Sequence, residues 1–536
     1  MKNKISRYLL LLLVSLLLAS CGGKQAPAPV PADGDGRFAV TILQMNDIYE
    51  LTPVSGGREG GLARVATIRK GLLAENPRTI TVLAGDLFSP SALGTAKVDG
   101  QRLAGRQIVD VMNTLGLDYI TFGNHEFDLD EQGFLARLRE SGFDWISANV
   151  FDRNMEPFPG VVPGKVLTLR DAQGRELRLG LFGLTVNANQ KDYVRYANPF
   201  EAAANQVAAL RDQVDVLIAL THLPVDQDIA LAGIVPGIDL ILGGHEHENL
   251  QLWRGEDLVP IFKADANGRT VYVHRLLYDP ESKKVEVRSE LVRVTDQVKE
   301  DPETAAAVAY WQEIGFKAFR AEGFAPEQVV AHIPFYLDGL EASVRNRATS
   351  LTQLIGEAYF EAVPGAELSL YNSGSVRVDD ILPPGPITQY DLIRILPFAG
   401  QVCQATVKGD LLRQILDQGA ANRGGGGYLQ TVGISRDEQK GWLVNDAPLD
   451  SKRKYKVAVN DFLLSGREEN LGFFSAKNPQ VKASCQERSD IRLVLKAYLA
   501  RCYPVQQQAA PSAPADQAQG SPGDEAGETP GNKQGH

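Results

Sequence analysis

Short apolar runs alternate with helical patterns along most of the chain, and a cluster of polar residues follows five of the runs where each one ends. The runs lie at residues 40–43, 80–83, 119–122, 178–181, 216–220 and 240–242. Residues 61–73 and 107–115 have the apolar spacing of amphipathic helices. Strands that alternate with helices are typical of α/β domains, so the pattern predicts an α/β fold.

The polar clusters hold most of the histidine in the chain. They are Asn46-Asp47-Ile48-Tyr49, Gly85-Asp86, Gly123-Asn124-His125-Glu126 with Asp128, Thr221-His222, and Gly243-Gly244-His245-Glu246-His247. The carboxyl ends of the strands of an open α/β sheet meet at one edge, where ligands bind, so the clusters should converge there. A single such histidine would more often be structural, but four of the seven histidines fall in these clusters. The grouping therefore favours a metal site.

These residue types suit a pair of divalent ions. Two ions about 3.5–4 Å apart need a bridging carboxylate, and imidazole nitrogens and carbonyl oxygens complete each shell. Such a pair can place hydroxide in line with a phosphorus atom. Nitrogen and oxygen ligands leave the metal open between Mn, Zn and Fe, because geometry and availability decide which one binds.

Composition narrows the class of protein. The 536 residues include 55 Lys and Arg against 66 Asp and Glu, a net charge of −11. This acidic balance argues against a nucleic-acid polymer as partner, since such binders cluster positive charge. Four cysteines exclude a scaffold built from disulfides. The composition is that of a globular enzyme or receptor.

The N-terminus has the form of an export signal. Lys2, Lys4 and Arg7 precede an apolar run over residues 8–18, shorter than the roughly 20 residues that a membrane span needs. The run ends in Leu-Ala-Ser before Cys21, which resembles the bacterial lipobox. Residues 1–20 are therefore predicted as a lipoprotein signal peptide, and 21–37, rich in Gly, Pro and Ala, as a flexible tether. The alternative is an ordinary signal peptide with a chance cysteine.

The rest of the chain divides by composition into four parts. Residues 38–300 and 330–503 are predicted as two α/β domains, joined by a linker helix within 301–329. Residues 504–536, rich in Pro, Gln, Ala and Gly, are predicted as a disordered tail. An exported protein meets an oxidising compartment. A Cys485–Cys502 disulfide is one hypothesis, and two unpaired cysteines are an equal alternative.

In this order the clusters resemble the calcineurin-like metallophosphoesterases. Asn372-Ser373-Gly374-Ser375-Val376-Arg377, Pro397-Phe398 and the segment 457–466 narrow the resemblance to the bacterial 5'-nucleotidase, UDP-sugar hydrolase and cyclic-nucleotide phosphodiesterase family. The resemblance implies a metallophosphoesterase β-sandwich flanked by helices, with α/β/β/α layers, over 38–300. It implies a 5'-nucleotidase C-terminal domain that recognises the substrate over 330–503.

The resemblance also implies roles at the metal site. Asp86 would bridge the two ions. Asp47 and His247 would bind the first ion, while Asn124, His222 and His245 would bind the second. His125 and Asp128 would form a catalytic dyad in which Asp128 orients His125, and attack would be by metal-bound hydroxide.

In the second domain the resemblance implies substrate contacts. Asn372 belongs to the matched segment, and Arg377 has the bidentate geometry that suits phosphate. Tyr428 and Phe462 correspond to positions that stack a nucleobase, although core packing is the alternative for both. Glu468 aligns with an Asp that holds ribose in relatives. Because the residue differs, the sequence does not decide whether Glu468 contacts ribose or whether the substrate is a nucleotide. Gly400 stands where relatives often have Asn.

Tyr49 departs from the family's Asp-x-His at the first cluster, where a ligating imidazole has become a phenol. As a phenolate, Tyr49 could ligate a ferric ion and favour iron at one site. The side chain could instead turn away and leave the first ion weakly held, or the site could be degenerate. We favour a working site of altered metal preference, because the other predicted ligands are all present.

The sequence thus predicts a lipid-anchored hydrolase of the cell envelope, on the periplasmic face of the outer membrane or on the cell surface. Its cofactor would be two divalent metal ions, its substrate a nucleotide or related phosphoester, and Cys21 its membrane link. Alternatives are the same fold acting on a cyclic-nucleotide or non-nucleotide ester, and a catalytically degenerate binding lipoprotein.

Overall fold

The computed structural model describes residues 36–505, without the side chains of 486–489. The predicted signal peptide, Cys21, the tether up to residue 35 and the tail from residue 506 lie outside the described residues. Within 36–505, no helix combines the length and apolar character that crossing a bilayer requires.

A mixed sheet of seven strands carries the first three polar clusters. Its strands run in the spatial order Lys284–Arg293, Thr270–Asp279, Phe38–Met45, Thr79–Leu83, Tyr119–Ile120, Asp144–Ile146 and Val161–Val162. Neighbours from Phe38–Met45 to Val161–Val162 pair in parallel, whereas the two strands on the other side are antiparallel additions.

A second sheet of six strands carries the other two clusters. Its order is Leu250–Arg254, Val259–Lys263, Leu240–Gly243, Val216–His222, Glu176–Thr185 and Gly164–Arg170. Strands 216–222 and 240–243 pair in parallel, so the two clusters that follow them lie side by side.

The two sheets pack face to face between two layers of helices. Along the central strand, Phe38, Val40 and Ile42 pack against the second sheet, while Leu43 and Met45 face the helices. This alternation is the period of two that a strand buried on both faces requires. The predicted α/β/β/α layering is confirmed. The helices of the outer layers are Leu62–Glu75, Arg106–Leu115, Glu131–Glu140 and Pro302–Ala321 on one side, and Pro199–Leu210 and Val225–Ile234 on the other.

The helix predicted as a linker packs as part of the first domain. Helix Pro302–Ala321 begins after Asp301, whose side chain accepts a hydrogen bond from the backbone N–H of Thr304. Its Trp311 and Phe319 are buried in the core that helices Leu62–Glu75 and Arg106–Leu115 share with the first sheet. The chain then passes into strand Val329–Ile333.

The second domain is a sheet of five strands between helices. Its order is Leu429–Val432, Leu368–Asn372, Lys454–Asn460, Gln401–Lys408 and Val481–Asp490. Along one strand, Val457 and Val459 face helix Gly409–Ala421, while Ala458 faces the opposite core. That core is formed with helices Ser350–Ala362, Gln389–Ile395 and Ile491–Cys502.

Smaller elements complete the described chain. Short helices are Leu93–Thr95, His125–Asp128, Arg211–Gln213, Ala266–Gly268, Glu341–Val344, Ser373–Ser375 and Asp461–Leu464. Short strands pair Lys97–Val98 with Gln101–Arg102, Val150–Asp152 with Val194–Tyr196, Val329–Ile333 with Gly385–Thr388, Leu337–Asp338 with Ile381–Leu382, and join Ile434–Asp437, Gly441–Val444 and Ala447–Pro448.

The disulfide hypothesis for Cys485 and Cys502 is wrong, and so is the alternative that both are unpaired. Cys485 pairs with Cys403, which lies directly opposite on the neighbouring antiparallel strand, with 4.2 Å between the Cα atoms. Cys502 is a free thiol at the far end of helix Ile491–Cys502. A helix of that length extends about 18 Å, so it carries Cys502 away from the strand.

Candidate metal centre and substrate cleft

The five polar clusters meet where the two sheets come together, rather than at the edge of one sheet. The Nδ1–H of His222, at the end of its strand in the second sheet, donates to the backbone oxygen of Ala84 in the first, 2.7 Å away. A second hydrogen bond joins the sheets: the Nδ2 of Asn46, which follows a strand of the first sheet, donates to the backbone oxygen of Ala264, which follows a strand of the second, at 3.0 Å. The predicted convergence is therefore achieved by two sheets joined through hydrogen bonds.

Two carboxylates lie at the centre of the cluster. Asp47 and Asp86 are 0% and 2% exposed, and both have a left-handed backbone, with φ of 53° and 59°. Burial alone would raise the pKa of Asp86, but His222 and His125 hold it well below its ordinary value. The pKa of Asp47 is lowered too, by His222 and His247 against the effect of burial. Strained, buried and ionised carboxylates are a costly arrangement that is typical of functional sites.

Glycines allow the turns to approach this closely. A Cβ on Gly123 would lie 2.0 Å from Oδ1 of Asp86, and one on Gly85 would lie 2.6 Å from Nδ1 of His222. Gly85 itself has φ of 82°. Any side chain at either position would displace a predicted ligand.

Two buried side-chain atoms of the polar clusters lack hydrogen-bond partners. The Nε2 of His222 and the Oδ1 of Asn124 make no hydrogen bond. The Nδ1–H of His222 is donated to Ala84, so the ring nitrogen that faces the carboxylates is Nε2. Burial alone would lower the pKa of His222, but Asp86 and Asp47 raise it to about 9, so a bound ion would replace the proton on Nε2. That atom lies 3.3 Å from Oδ2 of Asp86. Ligand atoms of Asp47, Asp86 and His222 all fall within 4.8 Å of one another.

The other two predicted histidine ligands border the same carboxylates. The backbone N–H of His245 donates to Oδ2 of Asp47 at 3.0 Å, and its ring lies 5.2 Å from that of His222. Burial and the neighbouring His222 lower the pKa of His245 to about 3, so its ring is neutral, as a metal ligand must be. The Nε2 of His247 lies 3.5 Å from Oδ1 of Asp47.

Tyr49 points into the cluster and does not turn away. Its hydroxyl is 2.9 Å from Oδ2 of Asp86, 3.2 Å from Oδ1 of Asp47 and 3.1 Å from Nε2 of His247. Burial, followed by the charges of Asp86 and Asp47, raises the pKa of this phenol well above its ordinary value. Without an ion, Tyr49 is thus a hydrogen-bond donor to the carboxylates.

These residues fit divalent cations. Buried carboxylates, imidazole rings and the amide oxygen of Asn124 are the ligand types that divalent cations take in proteins, and the two carboxylates supply the negative charge that such ions balance. Asp47, Asp86, Asn124, His222, His245 and His247 would hold the ions, with the phenol of Tyr49 within reach.

His125 and Asp128 form a hydrogen-bonded pair beside the cluster. Nδ1 of His125 is 2.7 Å from Oδ2 of Asp128, and the backbone N–H of His125 donates to Oδ1 of Asp86 at 2.8 Å. Ser89 and Asn189 each donate to the Asp128 carboxylate at 2.9 Å. Burial alone would lower the pKa of His125, but Asp86 and Asp128 raise it above its ordinary value.

The structure brings three predicted substrate residues together in the second domain. Arg377 is oriented by its Nε, which donates to the oxygen of Gly374 at 2.8 Å. Burial raises the pKa of Glu468, while hydrogen bonding with Asn372 and the charge of Arg377 act in the opposite direction. The Oδ1 of Asn372 also accepts from Ser375 at 2.6 Å.

The two predicted stacking residues are half-buried and stand apart. Among residues 36–505, no ring contact joins Tyr428 to Phe462. The guanidinium of Arg467 lies 5.5 Å from the centre of the Phe462 ring. Gly400 packs beside Asp461, the neighbour of Phe462, and a Cβ there would lie 2.8 Å from the Asp461 carboxylate. An Asn at this position would require the Asp461 carboxylate to shift.

The second domain closes over the metal cluster. A cavity of about 10 Å³ has Tyr49, His125 and His247 on one wall and Arg377 on the other. This is the volume of about one water. A larger cavity of about 680 Å³ shares Arg377 with it and is also lined by Asp128 and Phe398. A neighbouring cavity of about 290 Å³ brings Arg345 and Glu341 beside His245 and His247.

Both halves of the chain match known families. Residues 40–249 match the model described as calcineurin-like phosphoesterase, and residues 329–476 match that of the 5'-nucleotidase C-terminal domain. The chain belongs to the calcineurin-like phosphoesterases that carry a 5'-nucleotidase C-terminal domain. Enzymes of this family are metal-dependent phosphoesterases, which assigns the chain to that class.

Over the aligned residues, the relatives are about a quarter identical to the chain. Trifunctional nucleotide phosphoesterase protein YfkN of Bacillus subtilis is 26% identical over 475 residues, covering 80% of this chain but 31% of YfkN. The chain therefore spans less than a third of that relative. Snake venom 5'-nucleotidase of Naja atra is 25% identical over 506 residues, covering 82% of this chain and 92% of the venom enzyme. The crystal structure of a 5'-nucleotidase precursor from Thermus thermophilus has a TM-score of 0.68 at 23% identity, covering 87% and 97% of the two chains, so the fold is shared.

Residues that the sequence analysis did not assign to the site hold the loops that carry the predicted ligands. Fully buried Glu126 accepts backbone N–H groups of Asp86, Leu87 and Gly123 at 3.1, 2.6 and 2.5 Å, which fixes the two loops that carry Asp86 and Asn124. Buried Lys263 donates to the oxygens of Leu223 and Gly244, next to His222 and His245. Glu126 follows His125 in a quoted cluster, whereas nothing near Lys263 in the sequence signals its role.

Proposed function

We propose that this protein is an exported, lipid-anchored phosphohydrolase that uses two divalent ions to release phosphate from nucleotides or related phosphoesters. One observation carries the proposal. Buried Asp47, Asp86 and His222 bring ligand atoms within 4.8 Å of one another, and Oδ1 of Asn124 and Nε2 of His222 make no hydrogen bond, in a chain of this phosphoesterase family. When bound, two ions supply activation of water and neutralise charge that develops on the phosphoryl group.

The chain's own residues have distinct tasks in this mechanism. Arg377 enters the cleft from the second domain and lies close enough to His125 and Asp128 to affect the pKa of both. Its planar guanidinium suits two phosphoryl oxygens. Asp128 holds the His125 ring through Nδ1, so His125 can stabilise or protonate the leaving oxygen. Closure of the second domain excludes water from the cleft.

Phosphate release by the soluble protein tests the activity. The chain with Cys21 replaced would be loaded with Mn, Zn or Fe and offered AMP, UDP-glucose, a 2',3'-cyclic nucleotide and an aryl phosphate. Asn124→Ala removes a predicted ligand and should reduce turnover by about 100-fold or more. Asn154→Ala, at an exposed turn, is the matched control and should match the unaltered protein. Turnover that survives Asn124→Ala, or no turnover with any metal, would contradict the proposal.

Nucleotide recognition is the finer part of the proposal. It is supported by the half-buried rings of Tyr428 and Phe462, which leave surface for contact, and by the position of Glu468 beside Asn372 and Arg377. Tyr428→Ala and Phe462→Ala should each raise the KM for AMP by about tenfold, because each removes a stacking surface. The KM for a small alkyl phosphate should not change. Equal effects on both substrates would indicate that the rings serve packing and not base recognition.

Export and the lipid anchor rest on the N-terminal sequence. The Cys403–Cys485 disulfide supports an oxidising compartment. Cells that produce the full chain should incorporate labelled fatty acid into it, and Cys21→Ser should abolish that label. Release of the unaltered protein into the soluble fraction without label would contradict the anchor.

A further inference from the structure

The two ring nitrogens of His247 face different domains. Nε2 points to the metal cluster, 3.5 Å from Oδ1 of Asp47 and 3.1 Å from the hydroxyl of Tyr49. Nδ1 is 2.9 Å from Oδ2 of Asp379, which belongs to the second domain. A side chain of the substrate domain thus contacts a predicted ligand directly.

Asp379 is built to hold this contact. Its other carboxylate oxygen accepts the backbone N–H of Glu341 at 2.8 Å, and its backbone oxygen accepts a hydrogen bond from Arg269 of the first domain. Its φ of 37° lies in the left-handed region, which costs energy for a residue with a side chain. The residue is therefore held by both domains, with its carboxylate directed at the imidazole of His247.

The next residue ties the same segment to the first domain. Asp380 is fully buried and accepts hydrogen bonds from the backbone N–H and the hydroxyl of Ser55 at 2.9 and 3.0 Å. These bonds exist only while the domains are docked, and so does the contact between Asp379 and His247.

Metal-binding histidines usually donate their second N–H to a carboxylate or carbonyl, which orients the ring and raises its affinity for the metal. Loss of such a partner typically costs 10–100-fold in metal affinity. We propose that Asp379 is a positioning residue through which docking of the second domain strengthens metal binding at His247. The inference rests on the proposed function, in which His247 is a ligand. By linkage, the bound ion must then favour the docked state equally.

Metal affinity measured by chelator competition tests this inference. Asp379→Asn keeps the size of the side chain and tolerates the left-handed backbone, but removes the negative charge. Asp379→Gly tolerates the same backbone and removes the side chain. One of the two Mn or Zn equivalents should bind about 10-fold more weakly in Asp379→Asn and up to about 100-fold more weakly in Asp379→Gly. The other equivalent should be unchanged.

Ser55→Ala is the matched control, because it removes one bond between the domains without touching His247. It should leave both affinities within about twofold of the unaltered protein. Small-angle scattering supplies the reciprocal test: adding metal should compact the unaltered protein more than Asp379→Gly. Circular dichroism would verify that each variant is folded.

The outcomes separate the inference from the function on which it rests. Two tightly bound equivalents in both Asp379 variants would overturn the role of Asp379 and leave the dinuclear hydrolase intact. An equal loss in Ser55→Ala would show that docking in general holds the ion, which also overturns it. If the unaltered protein binds no metal, the proposed function fails and the inference fails with it.

Discussion

At the scale of single residues, Tyr49 is where this chain departs most from the pattern of its family. The phenol lies within hydrogen-bond distance of both central carboxylates and of His247. It therefore contacts every group of the first predicted ion site. Burial and the two carboxylates oppose its ionisation. Ligation as a phenolate then needs a strongly acidic metal such as ferric iron, whereas with Mn or Zn the phenol stays a hydrogen-bond donor.

Tyr49→Phe tests this dependence on the metal. Protein loaded with Mn or Zn should keep two equivalents after the substitution, because only a hydrogen bond is lost. Iron-loaded protein should show a visible absorption band that Tyr49→Phe removes, since the band requires phenolate on the metal. Metal analysis and absorption spectra measure both. Identical colour and metal content in the two iron-loaded proteins would rule out phenolate ligation.

His274 is a buried histidine that the metal site does not use. The side-chain amide of Gln44 donates its N–H groups to the backbone oxygens of Gly243 and Phe262. Its Oε1 therefore lies toward Nε2 of His274, 2.9 Å away. Nε2 must then carry the proton, and Nδ1 accepts from the hydroxyl of Ser289 at 2.7 Å. The imidazole is satisfied as a neutral ring, and burial lowers its pKa to about 3.

This neutral histidine predicts a loss of stability in acid. The unfolded chain binds a proton at His274 below about pH 6.5, whereas the folded chain does so only near pH 3. Its contribution is complete above pH 6.5 and declines as pH falls, by about 1.4 kcal/mol per pH unit. Between pH 6 and 4.5, unfolding by urea in chelator should show about 2 kcal/mol less pH dependence in His274→Gln than in the unaltered protein. Exposed His332→Gln is the control, and an equal flattening there would contradict the assignment.

At the scale of elements, the disulfide joins two neighbouring strands of the second domain and encloses the segment that carries Tyr428, Phe462 and Glu468. Protein with Cys21 replaced has three cysteines. Denatured without reductant, it should titrate one thiol per chain, that of Cys502. In Cys502→Ser the count should fall to zero. Two thiols in that variant would instead mean that Cys485 pairs with Cys502.

The elements that the sequence predicts well are those whose signal is local. Buried strands such as 38–45 and 216–222 appear as apolar runs, and the polar residues that end them are visible in the same short segments. The division of the strands between two sheets is not local, because pairing is decided by residues far apart in the chain. The strand register that places Cys403 opposite Cys485 cannot be predicted from the sequence for the same reason, because the two cysteines are 82 residues apart in the chain.

Supporting residues escape sequence reasoning for a related reason. Glu126 acts by accepting backbone N–H groups of a distant loop, and backbone groups carry no residue-specific signal. Asn189 reaches Asp128 from a loop 61 positions away. Asp379 contacts His247 only because two domains dock. The residues that bind a ligand can be predicted from their chemistry, whereas those that orient them depend on the tertiary structure.

At the scale of the whole molecule, a buried ion cluster joins the two domains. Arg394 of the second domain lies 3.2 Å from Glu50 of the first, and also 3.3 Å from Asp380. Burial raises the pKa of Glu50, and Arg394 opposes that effect. Removing one member of a buried pair leaves the other charge without compensation, which typically costs about 3–5 kcal/mol. Opening the interface would lower this free-energy cost, because water could then solvate Glu50 and Asp380.

Arg394→Met should therefore shift the protein toward an undocked state. Methionine retains apolar volume but leaves Glu50 without its ion-pair partner, while Asp380 keeps Ser55 and Arg269. The radius of gyration measured by small-angle scattering should therefore rise. The circular dichroism of the folded domains should persist. Because the docked state places Arg377 at the same cavity as His125, a variant biased to the undocked state should have a lower kcat. Arg453→Met removes an exposed pair with Glu367 inside the second domain and should change neither quantity. An unchanged radius of gyration in Arg394→Met would mean that other contacts, such as those of Asp379 and Asp380, hold the domains together.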